Sequence, residues 1–432
     1  MANYKIHGGK TLKGTAETKT AKNSAISCMC ASLLTTEPVT LKEMPNIQDV
    51  LKLEKVLISI GVKITHVGNN MTLQAPKKPN LSKIDFANAT KIRAILFLIG
   101  ALAHRFKNFK IPRAGGCKLG KRTITPHLFG LEKLGLKISA TNNYYNISRS
   151  KNLIGEKIVM YESGDTSTEN IILAASLAKG TTTIKLASAN YMVQDLCHLL
   201  NAMGAKISNI GLTTLIIQGV PKLHGAEHYL VPDPIESMFW ISLAATTSSS
   251  LRINGCPEDF LELELLKLEK MGFKYKIIKR YTSKSKKFDL IDIQTYPSKL
   301  SALEDKIDAR PFPGLNIDNL PFFVPIATQA KGTTMIHDWC YENRSIYYME
   351  FQKLGATMHL ADPHRVFITG PTNLKPNEIM CPPALRPATI LVIGMLAAKG
   401  TSILYNSYSI DRGYENLYGR LKEIGADIRE MQ

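Results

Sequence analysis

The stretches LAKGTTTIKL (177–186), QAKGTTMIHD (329–338) and AAKGTSILYN (397–406) are three copies of the pattern that determines the fold. Each copy has a helix end, a lysine and a glycine, a polar turn, and then alternating apolar and polar residues. Glycine after a helix takes the left-handed conformation that closes the last turn, and the alternation is typical of a half-buried strand. Each copy therefore predicts a helix followed by a strand. Weaker copies are LLTTEPVTL (33–41), HRFKNFKIP (104–112) and TTSSSLRIN (246–254).

A second pattern, a helix end, one glycine and a strand, occurs six times. The copies are ISIGVKI (58–64), EKLGLKI (132–138), NAMGAKI (201–207), EKMGFKY (269–275), QKLGATM (352–358) and KEIGADI (422–428). Together, the two patterns predict six α/β units of about 70 residues, each with two helices and several strands. Because such a unit cannot bury its helices alone, the units must cluster. A stacked solenoid is one arrangement, but the acidic, proline-containing VPDPIES (231–237) after the third unit favours two lobes of three units.

Composition limits the class of protein. The chain has 432 residues with 44% hydrophobic and 21% charged residues, as expected for a globular protein with large cores. Its net charge of +18 indicates anionic partners. The apolar runs at 95–103 and 391–398 are shorter than the roughly 18 residues of a membrane-spanning helix, and MANYKIHGGK does not resemble a signal peptide. Seven scattered cysteines argue against a disulfide framework and predict a cytoplasmic location.

The segment RAGGCKLGKR (113–122) places one cysteine among four cations and no acid. These cations should lower the pKa of the Cys117 thiol and increase its thiolate fraction, so the segment predicts a reactive thiol at an anion-binding loop. The remaining cysteines are expected to be inert and buried; they are Cys28, Cys30, Cys197, Cys256, Cys340 and Cys381. His224 and His228 are expected in a surface loop, and no metal site is predicted.

Seven motifs carry a resemblance to a known family, from residue 4 to about residue 430. They are TAKNSA (20–25), KIRA (91–94), AGGCKLGKR (114–122), FPGLNID (312–318), YENR (341–344), ALRPA (384–388) and IDRGYE (410–415). In order and spacing they resemble the enolpyruvyl transferases. The resemblance implies a two-lobed inside-out α/β barrel with six repeated α/β units. Residues 22–231 would form the first lobe, with the Cys117 loop, and residues 1–21 plus 232–432 the second.

Within this family, the motifs resemble the branch that uses UDP-N-acetylglucosamine in bacterial peptidoglycan synthesis. The implied reaction transfers the enolpyruvyl group of phosphoenolpyruvate to a hydroxyl of that acceptor through a tetrahedral ketal, and phosphate is released. The implied partners are phosphoenolpyruvate and a nucleotide-containing hydroxyl acceptor, without a cofactor, nucleic acid or membrane. The resemblance also implies a monomer.

The resemblance further implies roles for individual residues. The phosphoenolpyruvate ligands would be Lys22, Arg122 and Arg412, with Arg93, Arg344 and Arg386 lining the same site. Each charge-assisted bond of this kind contributes roughly 1.5–3 kcal/mol. The catalytic residues would be Cys117, Asp318 and Lys22, and the acceptor-binding residues Asn23, His127 and Asp318. In the family, the matching cysteine is an acid toward the methylene carbon and the target of fosfomycin. Asp318 matches the aspartate that takes the hydroxyl proton, and an N-cap is its alternative role.

The sequence departs from the family pattern on the acceptor side. Only His127 remains of the Pro-Val-Asp-Leu-His run that cradles uracil, since Thr123, Ile124, Thr125 and Pro126 replace the rest. The other departures are Glu162 for a lysine near the diphosphate, Pro234 for an arginine after Asp233, Asn190 and Met192 for two glutamates near the sugar, and Ala384 for an aspartate. The acceptor is therefore either UDP-N-acetylglucosamine bound through other contacts, or another molecule such as a nucleotide (for example UMP) or a phosphorylated sugar.

Two other classes of function are alternatives to enolpyruvyl transfer. RNA 3′-phosphate cyclase has a similar repeated fold, and the net charge of +18 would favour RNA binding, but no RNA-binding motif or aromatic-basic pattern is present. A catalytically inactive regulatory homologue is disfavoured by the retained Cys117, Lys22 and Asp318. The shikimate branch of the family is disfavoured because its members lack a cysteine at this loop.

Overall fold

The glycines of the repeated pattern all end helices in the left-handed conformation. Their φ angles are positive at Gly61, Gly135, Gly204, Gly272, Gly355 and Gly425, with values from 83° to 105°. Side chains with a Cβ rarely adopt this conformation. The predicted turns from helix to strand are confirmed at all six positions.

The structure is a computed structural model that describes residues 2–113 and 123–431, and it has a mixed α/β fold. Its contacts divide these residues into two compact units. One unit contains residues 20–113 and 123–231, and the other contains residues 2–19 and 232–431. Within the described parts of the chain there are six sheets, three in each unit.

The unit of residues 20–113 and 123–231 has two four-stranded sheets and one three-stranded sheet. Its strands are Val39–Lys42, Lys63–Val67, Asn70–Gln74, Asn108–Pro112, Lys137–Ala140, Tyr144–Ser148, Lys157–Val159, Thr181–Lys185, Lys206–Ser208, Thr214–Gln218 and Glu227–Tyr229. Its α-helices are Lys22–Ala31, Gln48–Ser59, Phe86–Ala89, Phe97–Leu102, Thr125–Lys133, Asp165–Ala175 and Tyr191–Ala202. Its 3-10 helices are Ser32–Leu34, Leu81–Lys83 and Arg93–Leu96.

The unit of residues 2–19 and 232–431 has three four-stranded sheets. Its strands are Asn3–Gly8, Lys13–Glu17, Ser250–Pro257, Lys274–Thr282, Asp289–Tyr296, Ile307–Asp308, Gly332–His337, Thr357–Asp362, Arg365–Gly370, Glu378–Met380, Gly400–Tyr405 and Asp427–Met431. Its α-helices are Pro234–Thr246, Glu262–Lys270, Phe323–Gln329, Arg344–Tyr348, Leu385–Ala397, Tyr408–Asp411 and Leu417–Glu423. Its 3-10 helices are Glu258–Phe260, Leu320–Phe322 and Met349–Leu354.

The four-stranded sheets share one topology: one edge strand pairs in parallel with its neighbour, and the remaining pairs are antiparallel. In three sheets one strand comes from a distant part of the chain. Glu227–Tyr229 completes the sheet of Val39–Lys42, and Lys13–Glu17 completes that of Ser250–Pro257. Asn3–Gly8 lies between Gly400–Tyr405 and Asp427–Met431. Each unit is thereby closed by strands from its own sequence ends.

Buried apolar helices form the core of each unit. Pro234–Thr246 and Leu385–Ala397 are buried over nearly their whole length, and each starts beside a residue of the site described below. Lys22–Ala31 is likewise buried from Ser24 to Ala31. Among the described residues, no helix combines the length and the apolar character that spanning a bilayer requires.

Candidate active site

Asp318 lies between two arginines. Its Oδ1 is 3.5 Å from Arg344 Nη1, and its Oδ2 is 3.6 Å from Arg386 Nη2. The turn before it is fixed because the Asp318 backbone N–H donates to Asn316 Oδ1 at 2.9 Å. The N-cap of the following 3-10 helix is Asn319, so the alternative role of Asp318 as an N-cap is wrong. The structure therefore brings together three of the predicted site residues.

Arg344 is held in a buried fork at the start of helix Arg344–Tyr348. Its Nε donates to Asp338 Oδ2 at 2.5 Å and its Nη2 to Asp338 Oδ1 at 2.9 Å, while Nη2 also donates to the Ile317 carbonyl at 2.7 Å. The Tyr348 hydroxyl donates to Asp338 Oδ2 at 2.6 Å, and the Tyr341 ring lies 4.3 Å from the guanidinium. Burial alone lowers the pKa of Arg344, but the Asp338 carboxylate outweighs this effect, so its pKa lies well above its usual range.

Arg386 lies in the first turn of helix Leu385–Ala397 and is 6% exposed. Its Nη1 donates to the Tyr414 hydroxyl at 3.0 Å. Asp233 caps helix Pro234–Thr246 by accepting the Ile235 N–H at 2.9 Å. Burial raises the pKa of Asp233 to about 6, although the charge of Arg386 acts in the opposite direction. Two buried arginines and several carboxylates therefore form one electrostatically coupled group.

The other unit holds Lys22 and Asn23 at the start of helix Lys22–Ala31. Lys22 Nζ is 3.3 Å from Oδ2 of the buried Asp49, which lies in the first turn of helix Gln48–Ser59. Asn23 Nδ2 donates to the Tyr191 hydroxyl at 3.3 Å. Both side chains are therefore held by partners inside their own unit.

Of the remaining predicted phosphoenolpyruvate ligands, the structure describes Arg93 and Arg412. Arg93 begins a 3-10 helix, and its Nη2 donates to the Thr123 carbonyl at 3.0 Å. Arg412 follows helix Tyr408–Asp411 and is half-buried. Cys117 and Arg122 lie outside the described residues, so their predicted roles stay predictions.

His127, predicted to bind the acceptor, is 2% exposed in helix Thr125–Lys133. Its Nδ1 is 3.2 Å from Asn170 Nδ2, and its Nε2 is 3.4 Å from Thr166 Oγ1. Asn170 in turn accepts the Gly100 N–H at 2.8 Å and donates to the Leu96 carbonyl at 2.9 Å. The histidine thus links helices of one unit in this structure.

The residues that depart from the family pattern have structural partners of their own. Asn190 Oδ1 accepts the Tyr191 N–H at 2.9 Å as the cap of helix Tyr191–Ala202. Its Nδ2 donates to Asp165 Oδ2 at 3.2 Å, and Ser188 donates to Asp165 Oδ1 at 2.5 Å. Met192 is 4% exposed. These positions contribute to packing and hydrogen bonding within the unit.

Sequence reasoning missed Asp338, Tyr348, Asp49 and Tyr414. For Asp338 a signal exists, because it is the last residue of the repeat copy QAKGTTMIHD, where the other two clear copies have Leu186 and Asn406. A carboxylate at an otherwise uncharged repeat position indicates a local function. Tyr414 lies within the motif IDRGYE (410–415), which could have indicated it, whereas Asp49 and Tyr348 lie in none of the quoted motifs.

Five of the six cysteines that were predicted to be buried are buried. Cys28 and Cys30 lie in helix Lys22–Ala31, and burial raises the pKa of the Cys256 thiol to about 12. Cys340 is an exception to the predicted burial, because it is partly exposed. The prediction of a surface loop is wrong for His228, which is 6% exposed in strand Glu227–Tyr229 with Nε2 2.7 Å from Asp195 Oδ1. Over residues 2–113 and 123–431, no group of three potential metal ligands is found.

Comparison with known sequences identifies the family. The sequence profile described as EPSP synthase (3-phosphoshikimate 1-carboxyvinyltransferase) matches residues 6–421. The chain is 37% identical over 431 residues to the UDP-N-acetylglucosamine 1-carboxyvinyltransferase of Treponema denticola, with 99% of both sequences covered. It is 34% identical to the enzyme of the same name from Bacteroides thetaiotaomicron, with 100% of both covered.

Solved structures share the fold. The enolpyruvyl transferase NikO from Streptomyces tendae matches with a TM-score of 0.86 at 23% identity, covering 100% of this chain and 99% of NikO. EPSP synthase from Acinetobacter baumannii matches with a TM-score of 0.80 at 16% identity, covering 100% of both chains. The chain therefore belongs to the EPSP synthase family of enolpyruvyl transferases, as its motifs predicted. It is an enzyme of the class that transfers enolpyruvyl groups.

Proposed function

We propose that this enzyme transfers the enolpyruvyl group of phosphoenolpyruvate to a hydroxyl of UDP-N-acetylglucosamine, with release of phosphate. The observation that carries the proposal is full-length similarity, at 32–37% identity, to relatives named for that reaction. The cations retained at the motif positions fit a substrate that carries a carboxylate and a phosphate. The reaction would supply a peptidoglycan precursor in the cytoplasm.

In this proposal, Asp318 accepts the proton of the attacking hydroxyl as the oxygen bonds to C2 of phosphoenolpyruvate. Cys117 delivers a proton to the methylene carbon, which gives a tetrahedral ketal with a methyl group. Loss of phosphate from C2, together with loss of one proton from that methyl group, then restores the double bond. Lys22, Arg122 and Arg412 bind the substrate oxygens that carry the charge, and Arg93, Arg344 and Arg386 complete the anion site. Asn23 and His127 contact the acceptor.

We further propose that the two units are the two lobes of an inside-out α/β barrel enzyme. The three sheets of each unit, with their helices, would be its three repeated α/β units. The first lobe would span residues 22–231, and the second residues 1–21 plus 232–432. The enzyme would act as a monomer.

A second candidate function keeps the chemistry and changes the acceptor. Asn190 and Met192 replace two glutamates of the family pattern, and in this structure Asn190 pairs with Asp165 while Met192 is buried. A site that binds specific hydroxyls and amides loses affinity strongly when its partners change. The acceptor could then be a nucleotide such as UMP or a phosphorylated sugar.

One assay separates the two candidates. The enzyme is incubated with phosphoenolpyruvate and one acceptor at a time, and phosphate release and product mass are both measured. UDP-N-acetylglucosamine, UMP and a set of phosphorylated sugars form the panel. An adduct of UDP-N-acetylglucosamine, heavier by one enolpyruvyl group, supports the first proposal. An adduct with another member and none with UDP-N-acetylglucosamine supports the second, and no adduct in any reaction would refute both.

A further inference from the structure

The carboxylate of Asp318 lies between two guanidinium groups. Each of its oxygens faces a different guanidinium, with Oδ1 3.5 Å from Arg344 Nη1 and Oδ2 3.6 Å from Arg386 Nη2. A carboxylate between two arginines is the arrangement expected for a small carboxylate substrate. Here the carboxylate belongs to the protein.

Of these three side chains, that of Asp318 is the most exposed to solvent. The Arg344 side chain is 1% exposed and that of Arg386 is 6% exposed, whereas the Asp318 side chain is 25% exposed. An arriving anion therefore meets Asp318 more readily than either guanidinium. Any carboxylate that pairs with these two arginines has to compete with it.

The two ion pairs between Asp318 and these arginines are long. Charge-assisted N–H···O bonds are normally about 2.7–2.9 Å long, so separations of 3.5 and 3.6 Å mark loose ion pairs. By contrast, Asp338 holds Arg344 at 2.5 and 2.9 Å, and Tyr414 accepts from Arg386 at 3.0 Å. Asp338 and Tyr414 therefore hold the two arginines in place. The longer contacts of the arginines with Asp318 can be exchanged for contacts with a ligand.

We propose that Asp318 stands in for the substrate carboxylate in the free enzyme and is displaced from Arg344 and Arg386 when phosphoenolpyruvate binds. This inference rests on the proposed function. Pairing with arginine disfavours protonation of a carboxylate. Asp318 is therefore a weak proton acceptor until the substrate carboxylate takes its two partners. The exchange couples substrate binding to activation of the base, so proton removal from the acceptor hydroxyl waits for phosphoenolpyruvate.

The test is the affinity of Asp318→Asn for phosphoenolpyruvate alone, measured by isothermal titration calorimetry on the full chain. The amide keeps the shape and removes the competing charge, so the dissociation constant should fall about tenfold relative to wild type. Pyruvate, which has the carboxylate without the phosphate, should also bind more tightly. Binding of inorganic phosphate should change much less.

Two variants complete the design. Asp308→Asn removes the same charge from a carboxylate that pairs with Arg310, and it should leave the affinity unchanged. Asp318→Ser is the second neutral variant and should also bind phosphoenolpyruvate more tightly, which covers the case in which the amide disturbs folding. Equal or weaker binding by the folded neutral variants overturns the inference. The absence of an adduct with every acceptor of the panel would instead refute the proposed function, whatever the affinities for phosphoenolpyruvate alone.

Discussion

Asp338 and Arg344 form a fully buried ion pair in which Nε lies 2.5 Å from Oδ2 and Nη2 lies 2.9 Å from Oδ1. Asp338 is 0% exposed and Arg344 is 1% exposed. A buried charge that loses its partner is costly, because neither water nor another ion can replace it. This pair consequently fixes the guanidinium that faces Asp318.

Asp338→Ala should lower the free energy of unfolding by about 3–5 kcal/mol, since it leaves the Arg344 charge buried without its main partner. Tyr348→Phe, which removes one hydrogen bond to the same carboxylate, should cost less, roughly 1.5–3 kcal/mol. Urea denaturation measures both. The control is Glu350→Ala, which breaks the exposed pair with Lys353 and should leave the midpoint almost unchanged. Equal effects at Asp338 and Glu350 would contradict the role of burial.

Asp233→Asn should change the pH dependence of stability. Burial raises the pKa of Asp233 to about 6, above the ordinary 3.8. Between about pH 4 and pH 6 the unfolded state ionises this group while the folded state keeps it protonated, so wild type loses stability as pH rises through this range. The loss, roughly 2 kcal/mol, should be absent in the variant, which retains the helix cap because asparagine caps as well as aspartate.

Urea denaturation at pH 4.5 and pH 7 checks this prediction. The stability of the variant relative to wild type should increase from the lower to the higher pH. Asp305→Asn, at an exposed aspartate, serves as control and should give the same difference at both pH values. A constant difference for Asp233→Asn as well would contradict the raised pKa.

Cys117→Ser should abolish labelling by fosfomycin and most transferase activity. The cations around Cys117 in the sequence are expected to favour its thiolate, whereas burial raises the pKa of the Cys256 and Cys381 thiols to about 12. Mass spectrometry of the treated protein locates the modified residue. Cys340→Ser is the control, because Cys340 is only partly buried, and it should retain labelling at Cys117. Labelling that persists in Cys117→Ser would remove this assignment.

Asp318→Asn should bind phosphoenolpyruvate yet turn over at least a hundredfold more slowly, because the amide cannot accept the hydroxyl proton. Single-turnover measurements with the acceptor identified by the panel separate this effect from binding. Asp308→Asn should turn over at the wild-type rate. An unchanged rate in Asp318→Asn would show that another group takes the proton.

Most of the fold could be predicted from the sequence because the signals are local. Each repeat carries a glycine where the helix ends and an alternating strand after it, and the six glycines of the shorter pattern all have positive φ. The motifs also single out Asp318, Arg344 and Arg386, which the structure brings close together and whose roles stay predictions. Their mutual distances could not be predicted, because residues 318, 344 and 386 lie on separate loops and helices.

The sequence by itself determined the α/β repeats, the family and the positions of the charged motif residues, since each depends on neighbours a few residues away. Only the tertiary structure decided which partner each of these side chains has: Asp338 for Arg344, Asp49 for Lys22, and Asn170 for His127. It also decided that strand Asn3–Gly8 closes a sheet with Gly400–Tyr405. The physical reason is that ion pairing and burial depend on distances in space. Residues acquire these distances only on folding, whether they are 6 positions apart, as Asp338 and Arg344 are, or hundreds of positions apart, as the paired strands are.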